Sequence, residues 1–490
     1  MKHKLLLFFL FIYSFCSAQY YTQHYIAPSP WQYWSDANEI VVSTLSNTAV
    51  TVDLYKSNGV YVTTLNVTAA SPVSYRFVGT ASAVPKNDTN TNYSDRGLIV
   101  EATAPVLVNL RNIASDSPGT NNANIKGNAS LVSFGNEGIG TSFRLGYYRS
   151  SYVGINTGNP VYSVMAIEDD TNIILNGSII ANLDEGESRL FTATIGSLLT
   201  SNKPVVANVG SYGDTPQACG GSGEDGTVDQ IAPTNVLGTQ YMVVRGSGTA
   251  GTGADHPEQT TIVAAEPNTV VEVTHFNAAG TQIGTTITYN LNAAGNFQTF
   301  HHGDTNNQYS SSFIQSNNPI IVYSGTAVDC ETDVSTVLPI GGCAGSTDII
   351  TRKFINYNNA DLPYFAYTII ESATEPVYLN GMDLELLTGT PRTAIGTTGF
   401  YMLRFNNLII GSPTTIALTS DLKLTTSIVQ QGAGFSMSGF FSAFNDRPEP
   451  PTQISMTEDC DIVISTTEGL EPYQWFLDGE PIDGATENPY

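Results

Sequence analysis

Polar and apolar residues alternate at every step in Thr51-Val52-Asp53-Leu54 and again in Val271-Glu272-Val273-Thr274. That is the period of a strand with one face in a core and one in water. Turn-forming residues follow each stretch, as Ser57-Asn58-Gly59 and as Asn277-Ala278-Ala279-Gly280,. Asn176-Gly177 is the dipeptide of a tight two-residue hairpin,. No stretch holds a 3.6-residue period between helix caps. The pattern therefore predicts an all-β chain.

The strand pattern repeats. Ala166-Ile-Glu-Asp-Asp-Thr-Asn-Ile-Ile-Leu175 matches Ala264-Ala-Glu-Pro-Asn-Thr-Val-Val-Glu-Val273 at an offset of 98 residues. Gly140-Thr-Ser-Phe-Arg-Leu145 matches Gly238-Thr-Gln-Tyr-Met-Val243 at the same offset. A wider echo runs through Ala104-Pro105-Val-Leu-Val, Lys203-Pro204-Val-Val-Ala and Asn318-Pro319-Ile-Ile-Val, with a weaker copy at Ser420-Asp-Leu-Lys423-Leu. Its spacings are 99, 115 and 104 residues. The chain is thus expected to hold four units of about 100 residues, at about 38–135, 136–235, 236–350 and 351–434. A unit of that size can close its own two-sheet sandwich. A β-propeller with two blades per unit is the alternative. The three prolines are expected at the first residue of a strand, where a missing N–H costs little.

Composition narrows the function classes. Among 490 residues, 44 are acidic and 19 basic, for a net charge of -25. A phosphate-backbone binder displays a basic face, so nucleic acid is not an expected partner. Only 13% of residues are charged, about half the usual share. The polarity rests instead on Thr, Ser, Asn and Gly, which favour strands and turns.

Residues 1–18 read as an export signal. Lys2 and Lys4 precede the apolar run Leu5–Phe15, and Ala18 is a small residue at the cleavage point,. Tyr13-Ser14-Phe15 before Cys16 are too large for a lipoprotein signal, so simple cleavage is expected. No later stretch has 18 consecutive apolar residues, so no transmembrane segment is expected. Export permits disulfides among Cys219, Cys330, Cys343 and Cys460,. Cys330 and Cys343 are close in sequence and make one plausible bridge, with Cys219 a competitor for either. Four cysteines allow three connectivities.

After Gly434 the pattern changes. Asp446-Arg-Pro-Glu-Pro-Pro451 is a stiff linker,, with the linker region taken as 448–456. A cysteine strand, Cys460–Ser465, then precedes a tryptophan strand, Tyr473–Gly479. That order is the start of an immunoglobulin-like sandwich over 457–490, expected to continue in a longer protein.

Four blocks resemble the N-terminal domain of the IgGFc-binding protein family, in the form carried by surface proteins of Bacteroidetes. They are Tyr25-Ile-Ala-Pro-Ser-Pro-Trp31, Asp229-Gln-Ile-Ala-Pro-Thr-Asn-Val-Leu-Gly238, the segment from Asp329-Cys330 through Leu338-Pro339 to Cys343, and Ser427-Ile-Val-Gln-Gln-Gly432. The resemblance covers roughly residues 20 to 447, within a repeat region of 19–447. It implies an extracellular binding domain, exported by the type 9 route and held at the cell surface by machinery that reads a distant C-terminus.

Several motifs invite chemistry. Gly246-Ser-Gly-Thr-Ala-Gly251 fits a dinucleotide loop, but no helix can follow it, so a hairpin loop is expected. Gly341-Gly-Cys343-Ala-Gly345 mimics a nucleophile elbow without the strand-to-helix setting. His301 and His302 are adjacent, and on a strand they point to opposite faces. Glu224, Asp225 and Asp229 offer hard oxygen ligands. Calcium is the one cofactor they raise, against a reading as solvated turns, and no other cofactor is expected. Trp31, Tyr33 and Trp34 are candidate binding aromatics, or else pack the N-terminal segment. No carboxylate pair can be nominated for acid–base catalysis.

These features point to a non-enzymatic adhesin. Rigid β units would form a stalk that presents the long loops 215–230 and 329–347 to a host or environmental protein or glycan, with weak contacts multiplied by valency. The alternatives are a glycan-acting enzyme on a propeller, with carboxylates and aromatics lining a central funnel, and a passive spacer.

Overall fold

The computed structural model describes residues 19–79, 86–113, 128–150, 160–213, 226–253, 256–342, 344–411, 413–430 and 436–444, with short strand pieces between 453 and 485. The chain divides into a compact unit, residues 1–445, and a second one, residues 446–490. The second contains two short antiparallel pairs, Gln453–Met456 with Ile462–Ser465 and Phe476–Leu477 with Glu480–Pro481.

Residues 19–444 are all-β and carry one strand plan four times. An opening strand comes first: Tyr21–Ile26, Gly140–Arg144, Gln240–Val244 and Ser346–Arg352. A second strand follows: Asn38–Ser43, Val161–Ala166, Gln259–Ala264 and Tyr364–Ile370. Then come a hairpin and a strand that pairs with the second one. A long corner strand comes next: Leu98–Asn112, Leu198–Ser211, the broken Ser311–Ser316 with Ile320–Asp329, and Thr415–Gln430. A closing strand ends each unit: Ala129–Val132, Thr227–Gln230, Glu331–Thr336 and Ser438–Phe441.

The corner strand makes the sandwich. Its first half pairs with the opening strand and the hairpin, and its second half with the second and closing strands. In the first unit Ala102 still faces Val52, whereas Leu107 already faces Ser43. Pro105 sits at that changeover. Pro204 does likewise between Ser201, which faces Ile173, and Val205, which faces Ala166. Pro319 lies between the two halves of the third corner strand. Lys423 lies between Thr419, which faces Tyr378, and Leu424, which faces Ile370. The repeated block is therefore the bend where one chain passes between sheets, and a residue without an N–H fits there. Pro105 and Pro204 thus fall inside their strands. The two-blade propeller alternative is not what this pairing shows.

The hairpin signals hold where they were read. Asn176 and Gly177 have φ of 47° and 82° and join Thr171–Leu175 to Ser178–Leu183. Positive φ at both central residues is what a tight hairpin needs. Helix is confined to Leu384–Thr388 and Asn407–Ile410 and two 3-10 turns among the described residues. No helix among them is long and apolar enough to cross a membrane.

The four units do not stand apart as a stalk. Asn208 donates to the Ala27 carbonyl at 2.6 Å, and Asn92–Tyr93 pairs with Ser188–Arg189, joining the first unit to the second. The Tyr323 hydroxyl donates to the Arg144 carbonyl at 2.8 Å, joining second to third. The Gly396 N–H donates to the Gly280 carbonyl at 2.8 Å, joining third to fourth. The fourth returns to the first: Arg111 donates to the carbonyls of Arg352 and Lys353, both at 2.9 Å, and Arg76 to that of Tyr357 at 2.8 Å. The sandwiches close into a ring, and the expectation of strung modules is corrected. One apolar cluster accordingly runs through the second, third and fourth units.

Candidate binding face

The centre of the ring is made by the closing strands. They belong to different sheets, and side chains fill the gaps between them. Asp333 Oδ2 accepts from the main-chain N–H of Ser130 at 2.8 Å and of Ser438 at 2.9 Å, so one carboxylate joins three units. Asp229 Oδ2 accepts from Thr336 N–H at 2.6 Å, and Gln230 Oε1 from Phe134 N–H at 2.7 Å. Both aspartates are buried. Burial pushes their carboxyls well above the usual range, against the pull of the N–H donors,. Neither carboxylate forms an ion pair among the described residues.

These contacts align Ser130, Asp333 and Ser438, and then Phe134 with Gln230 and Thr336 with Asp229. The four closing strands therefore run in one direction about the centre. All four start at the same end, and each is antiparallel to the second half of its corner strand. The second strands start there too, as Asn38 opposite Asn112 and Tyr364 opposite Gln430 show. Connections anchored at Ala27–Ala37, Ile113–Asn128, Leu145–Pro160, Gly213–Gly226, Thr249–Glu258, Asp329–Glu331, Lys353–Pro363 and Gln430–Met437 are thereby collected at one end of the ring. That end is the candidate binding face. The expected loop 215–230 leaves from it. The expected loop 329–347 begins on it and then leaves, because Glu331–Thr336 runs the length of the sheet.

The nominated residues divide by burial. Trp31 is 3% exposed and Tyr33 is fully buried. Tyr33 donates its hydroxyl to the Ala27 carbonyl at 2.7 Å, and Trp31 its indole N–H to Asn38 at 3.3 Å. They pack the first connection and are not presented to a ligand, which corrects the aromatic-platform expectation for both. Trp34 is half-buried, edge-on to Phe77 at 5.1 Å with Lys56 Nζ 5.2 Å from its ring. Asp229 lies in the central seam. Glu224 and Asp225 lie outside the described residues, and among the described residues no group of three His, Cys, Asp or Glu is placed to hold a metal.

Cys330 is half of a disulfide. It occupies the turn after Asp329, whose φ is 52°. Cys219, Cys343 and Cys460 lie outside the described residues, as do residues 1–18.

The glycine loop at Gly246 has its donors taken from inside. The Glu258 carboxylate accepts from the N–H groups of Gly246 at 2.7 Å, Gly248 at 3.2 Å and Ala327 at 3.1 Å, with Arg245 Nε 3.3 Å away. A buried side chain holds the donors that a phosphate would need. Burial pushes the Glu258 carboxyl up to about 6, against Arg245 and those N–H groups. His302 is buried on Thr260 at 2.7 Å, while His301 turns to His256 with ring centres 6.5 Å apart. The adjacent histidines do face opposite ways. A groove of about 690 Å³ beside Thr192, Thr194 and Phe297 has no ionisable side chain in its described lining.

A family model described as IgGFc binding protein matches residues 132–274 and 225–343. The matched stretch takes in the second and third units and both central aspartates. No curated protein matches the chain. Among solved structures, the trypsin-activated alpha-2-macroglobulin of Escherichia coli is 8% identical over 93% of this chain and 44% of its own length, with a TM-score of 0.11. The chain thus spans less than half of that protein. The BSP domain of a biofilm associated protein is 9% identical over 88% of this chain and 97% of that one, also at a TM-score of 0.11.

Asp333, Glu258 and Arg111 were not singled out from sequence. Thr227-Val-Asp-Gln and Thr332-Asp-Val-Ser, the starts of two equivalent strands, were the one available signal for the central aspartates.

Proposed function

We propose that residues 19–445 form an IgGFc-binding-type domain, an exported, non-enzymatic binding module that acts through the loop-bearing end of the ring. The observation that carries this is the convergence of eight connections on one end of a rigid β scaffold, in a chain similar to a binding family over 132–343,. The partner is a host or environmental protein, or a glycan on one. The closed ring changes how binding is organised. One face per chain meets the ligand, so valency comes from the number of chains on a surface and not from repeats along one chain. The extracellular place, the type 9 route and the attachment machinery belong to this reading, as does the immunoglobulin-like nature of residues 457–490.

The test uses the chain without residues 1–18, immobilised against IgG Fc, a panel of secreted host proteins and a glycan array. Replacing residues 114–127 by a Gly-Ser linker should weaken the captured ligand at least tenfold. Replacing the exposed turn Asn47–Ala49, at the opposite end beside the bend at Pro105, should leave it unchanged. The reverse pattern would move the site off the proposed face, and silence across all three panels would favour a spacer.

A further inference from the structure

His301 and His302 cannot share a ligand, because neighbouring residues of a strand face opposite ways. His302 turns inward to Thr260 and Ser324. His301 turns the other way at the end of Phe297–His301, where it stands opposite Gln259. Gln259 begins the second strand of the third unit, at the loop-bearing end. The imidazole that His301 meets there is His256, from the connection that leads into that strand.

His256 is held by its own loop. Its N–H donates to the Gly253 carbonyl at 3.1 Å, and Gln259 Nε2 donates to its carbonyl at 2.7 Å. Its ring packs so closely on Gly251 that no Cβ would fit there. The two ring centres are 6.5 Å apart, with the ring planes at 78°. Both Nδ1 atoms are buried, and neither has a hydrogen-bond partner among the described residues. At that spacing they stand no closer than about 4 Å, which is beyond a hydrogen bond and near the span of one ion held at about 2.1 Å by each. The carbonyls of Glu258, Gly253 and Thr252 favour a proton on the His301 ring. With Nδ1 unpartnered, that proton belongs on Nε2, and the Nδ1 lone pair is left to ligate. Two buried imidazole nitrogens are costly while unpaired. One cation between them satisfies both.

The geometry points to a two-histidine site for a divalent ion of the Zn2+, Ni2+ or Cu2+ class, held by Nδ1 of His256 and Nδ1 of His301. Imidazole nitrogen suits these ions, whereas Ca2+ takes oxygen ligands. Two protein ligands leave the other coordination positions to water or to a donor from outside the chain. The ion ties the Thr249–Glu258 connection to Phe297–His301 at the loop-bearing end. Its uptake by the free chain does not depend on what that face binds.

Calorimetric titration of the untagged chain without residues 1–18, stripped with EDTA, tests this. Uptake of a single Zn2+ or Ni2+ per chain is expected, with no displacement by excess Ca2+. His256→Gln and His301→Gln should each weaken it at least about tenfold. His275→Gln, on Ser312 in the same unit, should leave it unchanged. With Cu2+, electron paramagnetic resonance of the wild type should show coupling to two imidazole nitrogens, a reading that needs no variant to fold. No uptake, uptake that survives in both glutamine variants, or a copper spectrum without imidazole nitrogen would overturn the site.

Discussion

Arg111 is the sharpest place to perturb the ring. It is fully buried at the seam that returns the fourth unit to the first. Its guanidinium donates to Asn109 at 2.6 Å and to the carbonyls of Lys353 and Arg352 at 2.9 Å, and stands 4.3 Å from the Phe354 ring. The buried Glu39 carboxylate is 3.9 Å away. Burial raises the Glu39 carboxyl, and Arg111 is the leading charge that opposes this. Arg111→Met keeps most of the buried length and removes the donors. Two buried carbonyls left unpaired cost about 1–3 kcal/mol each. Breaking a buried ion pair from one side costs about 3–5 kcal/mol. These overlap, because Arg111 makes all of these contacts at once. A loss of about 4–6 kcal/mol is expected, a large part of an ordinary domain's stability. Denaturant unfolding measures it, with limited proteolysis to locate the opening at residues 353–363. The penalty should shrink at acid pH, where Glu39 is neutral and no longer an unpaired buried charge. A loss under about 1 kcal/mol, or one that does not change with pH, would refute the account of this seam.

Other consequences follow from the same contacts. The Glu258 carboxyl is raised in the fold to about 6, above an unfolded value of about 4.3, so its contribution is complete below pH 4.3 and is lost as pH rises through 6. Relative to Glu258→Gln, the wild type should lose about 2 kcal/mol between pH 4 and pH 7, seen as converging Tm curves. His24 is buried on Ser133 and Val106, and burial lowers it to about 4. Its contribution is complete above pH 6.5 and fades as pH falls toward 4, so His24→Gln should flatten the acid limb by about 3 kcal/mol. Gly280 has φ of 76°, and a Cβ there would meet the Ala394 carbonyl at 1.9 Å. Gly280→Ala should therefore cost more than the roughly 1–2 kcal/mol of left-handed backbone alone and open the seam between the third and fourth units to protease first.

Much of the fold was legible along the chain because strand period and turn chemistry are local. Val50–Lys56 alternates between core and surface as its residues do. The recurring Pro105, Pro204 and Pro319 blocks marked the corner strands, although their role as bends appeared only with the pairing. Ring closure left no such mark. It depends on main-chain N–H groups meeting Asp229 and Asp333, and on Arg111 meeting carbonyls more than 240 residues away. An aspartate in a strand looks the same in sequence whether it faces water or a neighbouring sheet. The aromatic cluster allowed two readings in sequence, and packing is the one that holds for Trp31 and Tyr33, whose polar tips the first connection satisfies internally.

The closed ring is tested most directly by one distance. Spin labels at the exposed Ser71 in the first unit and the exposed Asn358 in the fourth can be read by pulsed dipolar spectroscopy. Arg76 and Asn359 are 2.8 Å apart across the seam, and Ser71 is five residues along the chain from Arg76, at the far end of strand Val73–Arg76. The ring therefore predicts a single distance under about 30 Å. Four sandwiches strung in line, each roughly 30 Å across, would place the labels near 100 Å and give no dipolar modulation.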